Sequence, residues 1–227
     1  MKKSNKRAFT LIELLIVVGI IGVLAGLLYP AMSKFTSTGP KVKSMNNARQ
    51  IAQAWMNYVK MGQRQHIVSK PDVWQWAAVL AEKADLNLPE MWILSNDPKV
   101  LAKLDGENAA MPVNVAKKVG NNWSLDPEFN KFPVSWSVAN AVLANAEATV
   151  PLIWTRGLKP SGMWDEENGV FGADGGHIAF ADGHVEWYTS LRDENTKQGI
   201  LHVYKQTQRT YNISQAIKGG SQNILNP

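Results

Sequence analysis

A single carboxylate, Glu13, stands inside the apolar run F-T-L-I-E-L-L-I-V-V-G-I-I-G-V-L-A-G-L-L-Y at residues 9–29. An ionised group near the centre of a membrane span costs roughly 2.5–3.5 kcal/mol on insertion scales, and less toward an end, so it calls for a partner of opposite charge. A cut before Phe9 would supply one. The new α-amino group would lie four residues from Glu13 and could neutralise it within one chain or between adjacent chains in a low dielectric. Hard oxygen donors gather later in the chain. Asp165-Glu166-Glu167-Asn168, then Asp174 and Asp182, lie among glycines and suit calcium. The segment is not an EF-hand loop, because Gly169 falls one position early. His177 and His184 share a face of a proposed hairpin but sit about 13 Å apart at about 3.3 Å per residue. That is too far for one zinc ion at about 2 Å from each nitrogen, and the two read as surface imidazoles.

Other chemistry is excluded or unsupported. The chain has no cysteine, so disulfides, thiolate metal sites and a thiol nucleophile are out. There is no phosphate-binding glycine loop, no G-x-S-x-G elbow and no H-E-x-x-H helix, and no spacing singles out a triad. The expectation is that the protein is not an enzyme. An anchored hydrolase using the acidic loop around Asp174 is a minority alternative. Nine tryptophans imply a packed core and could also supply stacking platforms for sugars. Trp74, Trp76 and Trp92 read as core, and Trp164, beside the acidic loop, reads as exposed.

The elements that would position Glu13 follow from length and charge. As a helix, residues 9–29 rise about 31 Å, close to the roughly 30 Å of a bilayer's hydrocarbon. Lys2, Lys3, Lys6 and Arg7 precede the run and would hold the N-terminus in the cytoplasm. They also account for most of the net charge of +5. Without residues 1–8 the balance falls from 24 basic against 19 acidic to 20 against 19, about +1. The mature chain then offers no phosphate-tracking surface, and no nucleic acid is expected as a partner. An ordinary signal peptide with a cleavage site at Ala31-Met32-Ser33, or a plain anchor, would leave Glu13 without a reason.

Beyond the span, Gly39-Pro40 predicts a break, or at least a kink. Residues 41–61 read as an amphipathic helix with Val42, Met45, Ala48, Ala52, Trp55 and Val59 on its apolar face and Gly62 as C-cap. Asp72 caps a second helix reaching about Ala84, with Trp74, Ala77, Ala78 and Ala81 inward. Residues 105–135 are poorly periodic. Residues 136–148, rich in alanine, read as a short helix, and P-L-I-W-T at 151–155 as a buried strand. Asp182-Gly183 between alternating runs predicts a two-residue hairpin over about 177–188. Its register would pair Phe180 with Val185 and Ile178 with Trp187, placing these four on one apolar face.

The stretch K-R-A-F-T-L-I-E-L-L-I-V-V-G-I-I-G-V-L-A resembles the N-terminal cleavage and methylation motif of type IV prepilins and type II secretion pseudopilins. The resemblance implies that a membrane aspartyl peptidase, the prepilin peptidase, cuts between Ala8 and Phe9 and methylates the new N-terminal Phe9. It further implies that Glu13 pairs with a neighbour's N-terminus during assembly. Ala8 departs from the usual Gly but is small enough for cleavage. The G-G-x-x-x-F-x-D-G-x-V pattern around Phe180 also resembles pilin-like C-terminal elements. F-G-A-D-G-G at 171–176 resembles the major pseudopilin's calcium-binding loop, so Asp165, Asp174 and Asp182 are the calcium candidates.

The expected fold is α+β and pilin-like: a long N-terminal helix packed on a small antiparallel sheet. The expected organisation is a cleaved leader at 1–8, a membrane and assembly helix at 9–30, an amphipathic continuation at 31–62, and a head at 63–227. By the resemblance, the partners are the prepilin peptidase, other pilin-like subunits, the lipid bilayer, and an inner-membrane assembly platform with its ATPase. The head would lie in the periplasm, and later in a pilus or pseudopilus. The alternative is a membrane-anchored extracytoplasmic binding module, for carbohydrate among other ligands, that borrows the pilin-like N-terminus for export.

Overall fold

A computed structural model describes residues 11–61, 66–106, 109–192 and 199–227, without the side chains of residues 25–37 and 206. The chain forms two compact units, Met1–Lys41 and Val42–Pro227. Helix α1, Leu11–Val59, runs through Gly39-Pro40 without a break, correcting the expected interruption there. A proline removes one helical hydrogen bond, but helical bonds on either side continue. The proposed cap Gly62 lies outside the described residues.

In the second unit, α1 buries Ala48, Ile51, Ala52, Trp55 and Val59, spaced by three and four residues. Val42, placed on the apolar face by the sequence, is exposed, and Met45 is only half-buried. The buried stripe begins instead with two polar side chains, Ser44 and Asn47. Asn47 earns burial by donating to the carbonyls of Glu90 (2.7 Å) and Met91 (3.3 Å). Each large side chain in this stripe contributes about 1.5–3 kcal/mol by leaving water.

Helix α2, Val73–Lys83, begins where Asp72 accepts from the Gln75 N–H at 2.7 Å, and buries Val73, Trp76, Ala77, Leu80 and Ala81. Trp74 is half-buried and donates its indole N–H to the Phe132 carbonyl at 2.9 Å. Short helices α3 (Pro89–Trp92) and α4 (Pro98–Gly106) follow. The aperiodic stretch holds a small hairpin, β1 (Ala116–Val119) with β2 (Asn122–Leu125), and a capped turn of helix, α5 (Pro127–Asn130).

The main sheet has β3 (Trp136–Ala139), β4 (Pro151–Thr155), β5 (Gly176–Phe180), β6 (Val185–Tyr188) and, after the hairpin β7 (Ile200–His202) and β8 (Lys205–Thr210), β9 (Ile224–Leu225). Its order is β6-β5-β4-β3-β9, and each pairing is antiparallel. The fold is therefore α+β. β3 corrects the alanine-based helix reading of 136–148. W-S-V-A is wholly buried between β4 and β9, and fit to a sheet outweighs the helix preference of its neighbours. β4 is the buried strand expected at 151–155.

The 177–188 hairpin forms one residue out of the expected register. His177 pairs with Trp187, Ile178 with Glu186 and Ala179 with Val185. The Gly183 N–H reaches the Phe180 carbonyl at 2.9 Å, the Phe180 N–H reaches the His184 carbonyl at 3.0 Å, and Gly183 has φ +89°. The connection is a three-residue loop closed by a left-handed glycine, not a two-residue turn. A one-residue slip exchanges faces. Val185 and Trp187 thus join His177 and Ala179, while Ile178 and Phe180 lie on the face of Glu186.

Candidate functional site

From Leu11 to Leu24, α1 presents leucine, isoleucine and valine to solvent on every side. Leu11 is 82% exposed and even the least exposed of these residues, Val17, is 47% exposed. An apolar helix with no polar face has no stable place in water and must be covered by lipid or other helices. Glu13 is the one acidic residue on this described stretch of α1. Ala8 and Phe9 lie outside the described residues, so their spacing to Glu13 is a property of the sequence. Among the described residues no helix is long and apolar enough to cross a membrane. The described side chains at 11–24 cover only about 21 Å at about 1.5 Å per residue.

The acidic candidates are engaged separately. Asp165 accepts backbone N–H bonds from Asn168 (3.0 Å) and Glu167 (3.1 Å) and faces Lys159 at 3.3 Å. The Asn168 bond, with Lys159 and Glu167, holds its carboxyl below the ordinary range. Asp182 accepts from the backbone N–H and ring of His184. Asp174 ends a 3-10 turn, Gly172–Asp174, and is exposed. Among the described residues, no three histidines, aspartates or glutamates gather to hold a metal.

The histidines differ from the expected surface pair. His177 is buried, its Nδ1 is 3.0 Å from Ser44 Oγ on α1, and its ring stands edge-on to Trp187 at 4.8 Å. His184 is exposed and stacks on Phe180 at 4.2 Å. The slipped register puts them on opposite faces of the hairpin. Trp164, expected to be exposed, is buried against Gly176. The exposed tryptophan is Trp123 on β2, 37% exposed. The sequence signal for it was the Gly120-Asn121 turn in V-G-N-N-W-S, which opens a short strand with polar neighbours.

Beneath the acidic loop lies a polar cluster that the sequence did not reveal. Arg156 meets Asp97 at 2.5 Å and donates to the carbonyls of Val134 (3.1 Å) and Asn168 (3.2 Å). Asp97 also accepts from Ser135 Oγ at 2.7 Å. The arrangement fixes the loop to the core. No reacting pair is exposed there, and its role is architectural.

The chain thus combines an α+β head with a fully apolar helical segment bearing one carboxylate. Residues 3–29 match the prokaryotic N-terminal methylation motif. This match supports a resemblance of the N-terminus to those of type IV prepilin- and pseudopilin-like precursors. No curated protein and no solved structure matches the chain.

Proposed function

We propose that the protein is a pilin- or pseudopilin-like structural subunit, not an enzyme. A prepilin peptidase removes residues 1–8 and methylates Phe9. Residues 9–30 then hold the chain in the inner membrane with the head on the periplasmic side. From there an assembly platform and its ATPase draw the subunit into a filament with other pilin-like subunits. The observation that carries this reading is the methylation motif at residues 3–29, whose one acid, Glu13, sits on a helix surface otherwise apolar. Assembly would replace lipid around these side chains by neighbouring helices, and Glu13 would set the register by meeting the Phe9 amine of an adjacent subunit.

The direct test is the intact mass and N-terminal sequence of the protein from its native membranes. An N-methylated phenylalanine at Phe9 is the expected result. A mature chain starting near Ser33, or one retaining Met1, would overturn the proposal.

A further inference from the structure

Of the nine tryptophans, eight are buried or half-buried, and Trp123 is the most exposed, at 37%. Its indole thus offers part of its surface to a ligand. Trp123 stands on β2 opposite Lys118 and lines a cleft of about 320 Å³ between β2 and α2. Gln75 and Glu82, from α2, line the same cleft, as do Ser124 and Lys70. Ala78 and Val79 supply aliphatic surface between them.

The mixture is specific in its chemistry. A pyranose ring carries C–H groups on its faces and hydroxyls around its rim. It therefore pairs best with an indole on one side and with carboxylate, amide and hydroxyl groups at the edge. Gln75 is held by Asp72 and Glu82 pairs with Lys83 at 2.5 Å, so both polar groups are positioned at the rim, where ligand hydroxyls could share them. Lys70 and Glu82 bring one charge of each sign to the lining, so the cleft favours no net ligand charge. The volume sits at the small end of ligand sites, which run about 300–1,000 Å³, and suits one or two sugar rings.

The site is also built on firm supports. Asp72, which caps α2, accepts from Gln75 Nε2 at 3.1 Å as well as from its backbone N–H. This orients the amide before any ligand arrives. Ala116 and Leu125, also on the cleft wall, pair across the β1–β2 ladder. The backbone N–H groups of Val115 and Ala116 both donate to Asn87 Oδ1, at 2.9 and 2.8 Å, which anchors the base of β1. Such preorganisation lowers the entropy cost of binding.

We propose that the α2–β2 cleft is a binding site for neutral oligosaccharide, with Trp123 as the stacking platform and Gln75 and Glu82 as hydroxyl partners. It is independent of assembly, since every residue in it belongs to the head.

The test is calorimetric titration of the full chain, held in a sugar-free zwitterionic detergent, with cellotetraose and chitotetraose as probes. Saturable binding at millimolar concentration or tighter is expected with at least one of them. Trp123→Ala should weaken it at least about tenfold, equivalent to about 1.4 kcal/mol. Trp123→Phe should retain part of it and Gln75→Ala should weaken it severalfold, with near-ultraviolet dichroism unchanged in all three. Binding that survives Trp123→Ala, or no binding of either probe to the unaltered chain, overturns the proposal. Glu13→Ala leaves this binding intact, so failure of the assembly reading and failure of the sugar site are distinguishable.

Discussion

Arg156 and Asp97 meet at 2.5 Å in the interior of the head, with side chains 7% and 0% exposed. The carbonyls of Val134 and Asn168 take up further guanidinium donors, and Ser135 satisfies a second carboxylate oxygen. Removing one partner strands the other in a low dielectric. Asp97→Ala is therefore expected to cost about 3–5 kcal/mol, and the double change Asp97→Leu with Arg156→Met less than that. Urea unfolding followed by tryptophan fluorescence measures both. A loss under about 1 kcal/mol for Asp97→Ala would mean that water reaches the pair.

Gly176 opens β5 where no side chain fits. A Cβ there would overlap Thr155 Oγ1 on β4 and the ring of Trp164. Gly176→Ala should destabilise the head by about 1–3 kcal/mol through overpacking, because the obstacles are a strand neighbour and a buried indole. Gly106→Ala, at a position with open space around it, is the control and should be neutral within about 0.5 kcal/mol. Thermal unfolding of the two variants distinguishes local crowding from a general intolerance of substitution.

What the sequence disclosed was local. Asp72 as a cap, P-L-I-W-T as a buried strand and Asp182-Gly183 as a turn each depend on residues that lie next to one another. What it concealed depended on distant partners. W-S-V-A became β3 because β4 and β9 flank it, and β9 comes from the end of the chain. The hairpin slipped by one residue because Asp-Gly serves equally in a two-residue turn and in a three-residue loop with a left-handed glycine. Trp164 was misjudged by its acidic sequence neighbours, when its spatial neighbours are Gly176 and the sheet. The apolar segment and Glu13 were legible, since a charge within an apolar run needs no tertiary information to stand out.

Tyr188 gives the head an alkaline limit. Burial first, and then its bond to Glu186 Oε2 at 2.5 Å, hold the phenol's pKa above the ordinary 10.0. The folded state keeps a proton that the unfolded chain releases near pH 10. The stabilisation is thus full below pH 10 and is lost as the pH climbs beyond it. Tyr188→Phe should lose about 0.5–1.5 kcal/mol at neutral pH and show a flatter decline above pH 10. Melting temperatures of both proteins across the alkaline range, alongside the phenolate absorbance, provide the measurement. Parallel alkaline slopes would show that another group sets the limit.

Glu13 permits a sharper test of assembly than cleavage does, since a processed chain need not polymerise. Its carboxylate sits on an otherwise apolar stretch of α1. In the proposed filament its attraction to a neighbour's Phe9 amine acts in a medium with little screening. A coupling of only about 1.4 kcal/mol per contact changes an association constant about tenfold, and a filament repeats the contact at every subunit. Glu13→Ala and Glu13→Gln should therefore both reduce sheared filament at least about tenfold, while carbonate extraction shows the chain still in the membrane. Neutralising the carboxylate removes a cost of insertion, so membrane retention should hold or increase. If Glu13→Gln assembles as well as the unaltered chain, the charge is not what sets the register. The apolar surface from Leu11 to Leu24 would then have to specify the contact by packing alone.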